Sequence, residues 1–449
     1  MSSLARRLRT VDYFTLGFGT MVGVGWLVLM DDWLTRGGPA GVMLAFAIGG
    51  LALLPIAVVY GRLVMAIPDA GSEIAYTARV FPSQASFATG WMMMLAYLIV
   101  CPWEAVAVGR LAAYLFPGLD TLELYRVAGK AVFLPRLAIG LALTAAITLI
   151  NYRGIRLSAS IQKWMTFALL AMFAAFALSA VGRGSLENLR PPFSQSGPIS
   201  VLLVLQIVPY FMTGFESVPK CAEEASPEFR KRGFLLAILM ALGVAVVFYT
   251  SVVALVAYLQ PWQALASQRF ATAVAFEHAF GSRRVVDLLL LAALFSLVKV
   301  FNGNFVAASR LLFALGRRGL VHAGFGRVHE RNLVPSVAVL ALGGATALAT
   351  CLGDAILVPV TEVGSMASAL GWLAACVAYF YLQPALKERV IAVTGMTVAA
   401  LLVLMKILPF IPGHFTLYEW SALTIWAALG LAVRRRVPAL AGGPELMEG

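Results

Sequence analysis

Long apolar runs recur from residue 12 to residue 433, and each is close to the length that a lipid hydrocarbon core demands. A membrane-spanning helix needs about 20 such residues. Twelve runs qualify, at 12–34, 41–66, 85–115, 132–150, 158–181, 199–221, 233–259, 285–315, 335–352, 356–382, 389–409 and 416–433. The breaks between them carry Gly, Pro and charge, as in "TRGGPAG", "NYRGIR" and "RPPFSQSGP". Lipid offers the backbone no hydrogen-bond partners, so spans of this kind fold as helices. Composition agrees: 12% of residues are charged, against roughly 25% in soluble proteins. The expected class is an all-α integral membrane protein with 12 transmembrane helices. The first run is too long, and at Asp31 and Asp32 too acidic, for a cleaved signal peptide.

Basic residues set the expected orientation. With the N-terminus inside, the inner segments hold 22 Lys and Arg, among them Arg6, Arg7, Arg9, Lys220, Arg230 to Arg232, Arg310 and Arg434 to Arg436. The outer segments hold nine, including Arg36, Arg126, Arg269, Arg283 and Arg284. Both termini are therefore expected in the cytoplasm of a cell whose plasma membrane, a bacterial inner membrane, holds the chain. The net charge of +12 reads as this orientation signal. Scattered among loops, it does not suit nucleic acid. Cys101, Cys221, Cys351 and Cys376 lack CxxC spacing, so neither a metal site nor a disulfide framework is expected. His278, His322, His329 and His414 lie in loops or at span ends, which leaves a membrane enzyme without a catalytic cluster. Isolated charges in unequal spans do not build the rings of a channel.

The first run contains "GTMVGVGW", residues 19–26, with three glycines at mid-span. Glycine weakens a helix by about 1 kcal/mol relative to alanine. The sixth run contains "PYFMTGFESVPK", residues 209–220, which adds Pro209, Pro219 and Glu216. The two stretches occupy corresponding places in two five-helix halves. Paired interruptions of this kind point to a transporter site at the midplane, where freed backbone groups become ligands. Gly19-xxx-Gly23 is also a close-packing motif for membrane helices.

Four stretches in order then resemble the amino acid–polyamine–organocation superfamily. They are "GTMVGVGW", "YGRLVMAIPDAGSEIAYTARVF", "FMTGFESVPKCAEEASPEFRKRG" and "NGNFVAASRLLFALGRRGL". The third is similar to the branch that holds cationic amino acid transporters. The resemblance implies a LeuT-type inverted five-plus-five repeat with discontinuous helices 1 and 6. On it, residues 1–11 form a cytoplasmic N-terminus, 12–182 and 199–383 the two repeats, 183–198 an extracellular loop, 384–434 two further helices and 435–449 a cytoplasmic tail. It also implies proton- or sodium-coupled uptake, or exchange, of amino acids and amines. Many members carry a serine at the position of Val24 that helps hold a substrate carboxylate; Val24 offers only its backbone. An amine without a carboxylate therefore stays open as substrate.

Ionisable groups at mid-helix cost roughly 2.5–3.5 kcal/mol each, so each is a functional candidate. Glu216 can accept a substrate ammonium, carry the coupled proton, or brace the broken helix. Glu104 can be a second ammonium ligand, a proton site, or the partner of Arg110. Glu362 suits a structural pairing, and Glu419 completes the set of acids. In sodium-coupled relatives a cation sits between the helix 1 break and helix 8. Lys299 on helix 8 can place its ammonium there and make sodium redundant, or it can bridge to Glu104 or Glu216. Thr20, Gly23, Val24, Gly25, Trp26, Phe211, Gly214 and Phe215 flank the breaks as expected substrate contacts, the aromatics also suiting a gate or plain packing. Asn302 and Asn304 suit cavity lining or interhelical bonding. Glu223 and Glu224 are expected to pair with Arg230 to Arg232, and Asp31, Asp32 and Arg36 to mark a charged outer helix end.

The expected function is secondary active transport of amino acids or related amines by alternating access, coupled to protons or exchange and independent of sodium. A carboxylate-free amine or polyamine is the alternative substrate; a transporter-like sensor or a membrane enzyme is the alternative class. No cofactor or metal is expected. The expected partners are the substrate, the proton and the bilayer.

Overall fold

The computed structural model describes residues 4–268, 270–356 and 359–435, without the side chains of Arg283, Ile356, Pro359 and Thr361. Arg269, Arg436 and nearly all of the tail at 435–449, named above for orientation, lie outside the described residues, as does the side chain of Arg283. Among the described residues, nine helices or helix pairs are long and apolar enough to cross a membrane. The three remaining expected spans fall on shorter pieces. Ser336–Thr350 and Leu417–Val433 are short apolar helices. The sixth is cut into Gly197–Leu205, Val208–Met212 and Ser217–Lys220.

The first span starts where the Arg9 amide donates to the Asp12 carboxylate at 3.0 Å, half of a capping box. It runs as Thr10–Met21, opens at Val22 with extended backbone (φ −91°, ψ 95°), and resumes as Gly25–Val28. A further helix, Met30–Ala66, contains a kink at Gly38 (φ 62°) just before Pro39. The two elements expected at 12–34 and 41–66 therefore meet at Gly38, where left-handed backbone and a missing N–H turn the chain. Thr10–Met21 lies at the centre, packed by Arg232–Leu259, Ile155–Ala180 and Arg283–Arg317. Few residues of Leu134–Arg153, Ile155–Ala180 and Leu386–Ile407 are fully buried, as suits helices with a lipid-facing side.

Three segments depart from the sequence reading. The chain is not purely helical: Glu123–Val127 and Lys130–Phe133 form an antiparallel hairpin. The segment between the seventh and eighth spans is not a plain loop but holds Trp262–Ala266 and Ala271–Phe280, whose apolar faces are buried. The segment after Ala66 folds inward as Glu73–Thr77, buried throughout, because it packs against the third and tenth spans rather than facing water.

Candidate functional site

The two interruptions touch. Gly214 has φ 145°, and a methyl group there would lie 2.7 Å from the Met21 nitrogen and 3.0 Å from the Thr20 carbonyl carbon. Only glycine permits both that backbone and that approach. Beside this contact lies a cavity of about 20 Å³, room for about one water. Its walls are the opened backbone at Thr20, Met21 and Gly23 to Gly25; Val100, Trp103 and Glu104; Tyr210, Phe211 and Thr213; and Val300 with Asn304. Four parts of the fold, each interrupted or bearing a buried polar group, thus converge on one space.

The opened backbone of the first span is served by side chains from its neighbours. Lys299 donates to the carbonyls of Gly19 at 3.3 Å and Val22 at 2.5 Å. Ser296 reaches the Val22 carbonyl at 3.2 Å, Asn304 that of Thr20 at 3.4 Å, and Tyr249 that of Met21 at 2.9 Å. Thr272 donates to the Trp26 carbonyl at 2.6 Å. Freed carbonyls in an apolar interior need such donors. Lys299 also lies 5.2 Å from the Phe18 ring centre, within cation–π range. Among the described residues it forms no ion pair with Glu104 or Glu216.

Glu104 is buried and faces the cavity, close to Gly23, and among the described residues its Oε2 has no hydrogen-bond partner. Among the described residues it forms no ion pair with Arg110, which lies 4.0 Å from Asp354; a six-residue separation turns the two side chains to different faces. Phe211 forms the apolar wall. A methyl at Gly25 would meet its ring at 2.5 Å, so the ring can lie directly on the backbone. Trp33, Tyr210 and Tyr249 hold that ring edge-on at 4.9, 5.2 and 6.0 Å.

Glu216 is fully buried but does not line the cavity. Its Oε2 accepts the Gly214 N–H at 3.0 Å, across its own break, while Oε1 has no hydrogen-bond partner among the described residues. Phe215 also points away, stacking on Trp372 at 5.7 Å and edge-on to Tyr60 at 5.9 Å. Trp26 packs edge-on against Phe248 at 6.1 Å, outside the cavity. Asn302 binds Asn151 at 3.0 Å, Ser158 at 2.9 Å and Gln162 at 3.1 Å, a polar knot between three helices. Of the expected contacts, the structure therefore gathers Thr20, Gly23, Val24, Gly25, Glu104 and Phe211 around one space. Trp26, Phe215, Glu216, Lys299 and Asn302 surround it at a distance.

The other membrane charges also find partners. Glu362 binds Lys406, with Arg36 at 3.6 Å; Arg36 also holds Asp32 at 2.9 Å. Two residues counted as loop charges are fully buried: Lys220 pairs with Glu73 at 2.7 Å, and Arg310 with Glu224 at 2.7 Å. Glu223 pairs with Arg317. Glu223 and Glu224 thus engage the end of the eighth span instead of Arg230 to Arg232, because Ala222–Glu224 turns inward against Arg283–Arg317 while residues 230–232 stay exposed.

Sequence reasoning missed Trp103, Tyr210, Thr213 and Tyr249 as wall or support residues. Trp103 and Tyr210 adjoin the flagged Glu104 and Phe211 in the chain, a usable signal. Tyr249 lies inside a continuous apolar run and carried none.

A transporter is the class of protein that two interrupted membrane helices around a polar cavity define. The chain belongs to the amino acid permease family, whose model matches residues 8–433, and with it to the amino acid–polyamine–organocation superfamily. It is a multi-pass membrane transporter rather than an enzyme. It is 26% identical to a branched-chain amino acid permease of Bacillus subtilis over 383 residues, covering 84% of this chain and 79% of the relative. It is 26% identical to a methylthioribose transporter of the same organism over 343 residues, 74% of this chain and 72% of the relative. A chloroplastic cationic amino acid transporter of Arabidopsis thaliana is 27% identical over 339 residues, covering 73% of this chain and 58% of the relative.

Proposed function

We propose that the protein is a secondary active transporter of amino acids or related amines, working by alternating access and independent of sodium. The observation that carries the substrate reading is Glu104: a buried carboxylate with an unpartnered oxygen, facing a cavity walled by Phe211 and opened backbone. A carboxylate so placed attracts an ammonium, and the ring beside it accepts apolar or cationic groups. Glu104 is the proposed ammonium ligand, and the backbone at Gly23 to Gly25 lies where a substrate's polar groups arrive. Relatives named for branched-chain and cationic amino acids agree with an amine-bearing substrate. Val24 supplies no hydroxyl for a carboxylate, which keeps a carboxylate-free amine as the second reading.

Sodium independence rests on Lys299. Its ammonium already occupies the carbonyls of Gly19 and Val22 that a cation at this place needs. Coupling then falls to protons or exchange. The proposed architecture is the inverted repeat, with 12–182 and 199–383 as its halves and both termini cytoplasmic in a plasma membrane.

The test is uptake by proteoliposomes containing the full chain, with radiolabelled L-leucine, L-phenylalanine, L-arginine and putrescine as probes. At least one probe is taken up saturably, and choline in place of sodium leaves its rate unchanged. Loss of uptake in choline contradicts the Lys299 reading; failure of every probe contradicts the substrate class.

A further inference from the structure

A second buried polar cluster lies beside the sixth-span break, away from the cavity and towards the face that holds the N-terminal segment. Lys220 is at its centre. Its ammonium binds the Glu73 carboxylate at 2.7 Å and the Glu216 backbone carbonyl at 2.9 Å, and lies 4.9 Å from the Tyr97 ring centre. Tyr60 donates to the same Glu73 oxygen at 2.7 Å. Glu73, Glu216 and Lys220 are all fully buried. Among the described residues, Glu73 Oε2 and Glu216 Oε1 have no hydrogen-bond partner.

Charge counting makes the cluster unusual. Two carboxylates share one ammonium, so the fully ionised cluster carries one uncompensated negative charge. The other titratable or charged groups facing it are Tyr60, Tyr76, Tyr97 and Cys221, neutral near pH 7. Beyond them, Glu224 is balanced by Arg310. Asp69 and Glu223 are balanced by Arg317 and Arg318 at the rim. A lone charge in such an interior costs far more than a neutral acid.

We propose that Glu73, Lys220 and Glu216 together bind one proton while this face is closed, and that this proton is the one coupled to transport. The proton adds to one of the two unpartnered carboxylate oxygens and forms a carboxylic O–H, so the closed cluster is neutral. Glu73 sits on Glu73–Thr77 and Lys220 on Ser217–Lys220. When these elements part, water enters, both carboxylates ionise, and the O–H bond breaks to release the proton on that side. The coupling part of this proposal rests on the proton-driven form of the function above; the protonation itself does not.

The experiment is infrared difference spectroscopy of the full chain in lipid nanodiscs near pH 7, each variant against the wild type, read at the carbonyl stretch of a buried neutral carboxylic acid, so that any band from Glu104, common to all, cancels. The wild type shows the band. Glu73→Gln and Glu216→Gln each make the cluster neutral without a proton, so each loses it. The double variant Glu73→Gln/Lys220→Gln again leaves one unpaired carboxylate and regains it. If Glu73→Gln fails to fold, Glu216→Gln, which keeps the Lys220–Glu73 bond, carries the same test. A band absent from the wild type, retained in the folded single variants, or not regained in a folded double variant overturns the proposal. Uptake of the four probes under an imposed pH gradient then tests coupling. Gradient-driven uptake in the wild type that is at least tenfold lower in Glu73→Gln supports it, and equal uptake overturns it. A wild type that ignores the gradient, yet shows the band, contradicts proton-driven transport while leaving the protonated cluster in place.

Discussion

Gly214 lies flat against the backbone of Met21, so close that a single added methyl would sit 2.7 Å from the Met21 nitrogen. The two broken helices are in contact at that point, where Gly214 meets both the backbone and the side-chain stem of Met21. Gly214→Ala adds the clash and a disfavoured φ of 145°. Substitutions at such positions cost more than about 1 kcal/mol. The variant is expected to melt several degrees lower and to lose most uptake, measured by thermal unfolding in detergent and by the proteoliposome assay. A fully stable, active variant would show that the contact is not needed.

Glu104→Gln keeps the shape of the side chain and removes its charge. A hydrogen bond to a charged group is worth about 1.5–3 kcal/mol, so the KM for an amine substrate should rise about tenfold or more. Concentration-dependent initial rates measure this. An unchanged KM places the substrate ammonium elsewhere.

Lys299→Ala removes the donor to Gly19 and Val22 and leaves the Val22 carbonyl with the Ser296 hydroxyl as its remaining side-chain donor. The variant should lose transport at least tenfold and gain thermal stabilisation from sodium that potassium or choline does not supply. Wild type should show no such sodium effect. Melting curves in the three salts decide it.

Arg310→Met strands Glu224, fully buried, without its 2.7 Å partner. Breaking a buried pair on one side costs about 3–5 kcal/mol. Glu224 also anchors the N-terminal segment, its carbonyl accepting from Arg7 and Leu8 at 2.8 and 2.9 Å. The double variant Arg310→Met/Glu224→Gln should recover most of the stability lost by the single one, as thermal unfolding of both can show.

The helical membrane class and both interruptions were legible in the sequence because lipid imposes length and the breaks carry glycine and proline. Gly23, Gly25 and Gly214 marked the breaks, and Glu104 and Lys299 stood out as charges in apolar runs. Partner choice was not legible. Lys220 and Glu73 lie far apart in the chain, and Lys220 looked like an ordinary loop charge. Glu216 sat in the right break, yet its orientation depends on the backbone twist at Gly214, which no residue pattern encodes. The hairpin at Glu123–Val127 was missed because its strand residues are mostly exposed and lack alternation.

Thermal-shift measurement of the purified wild type and Glu104→Gln against L-leucine, L-phenylalanine, L-arginine and putrescine reaches the central claim most directly. A probe bearing a primary ammonium should stabilise the wild type, and the shift should shrink sharply in Glu104→Gln. Equal stabilisation of both proteins by the same probe would remove the substrate from the cavity beside Gly23.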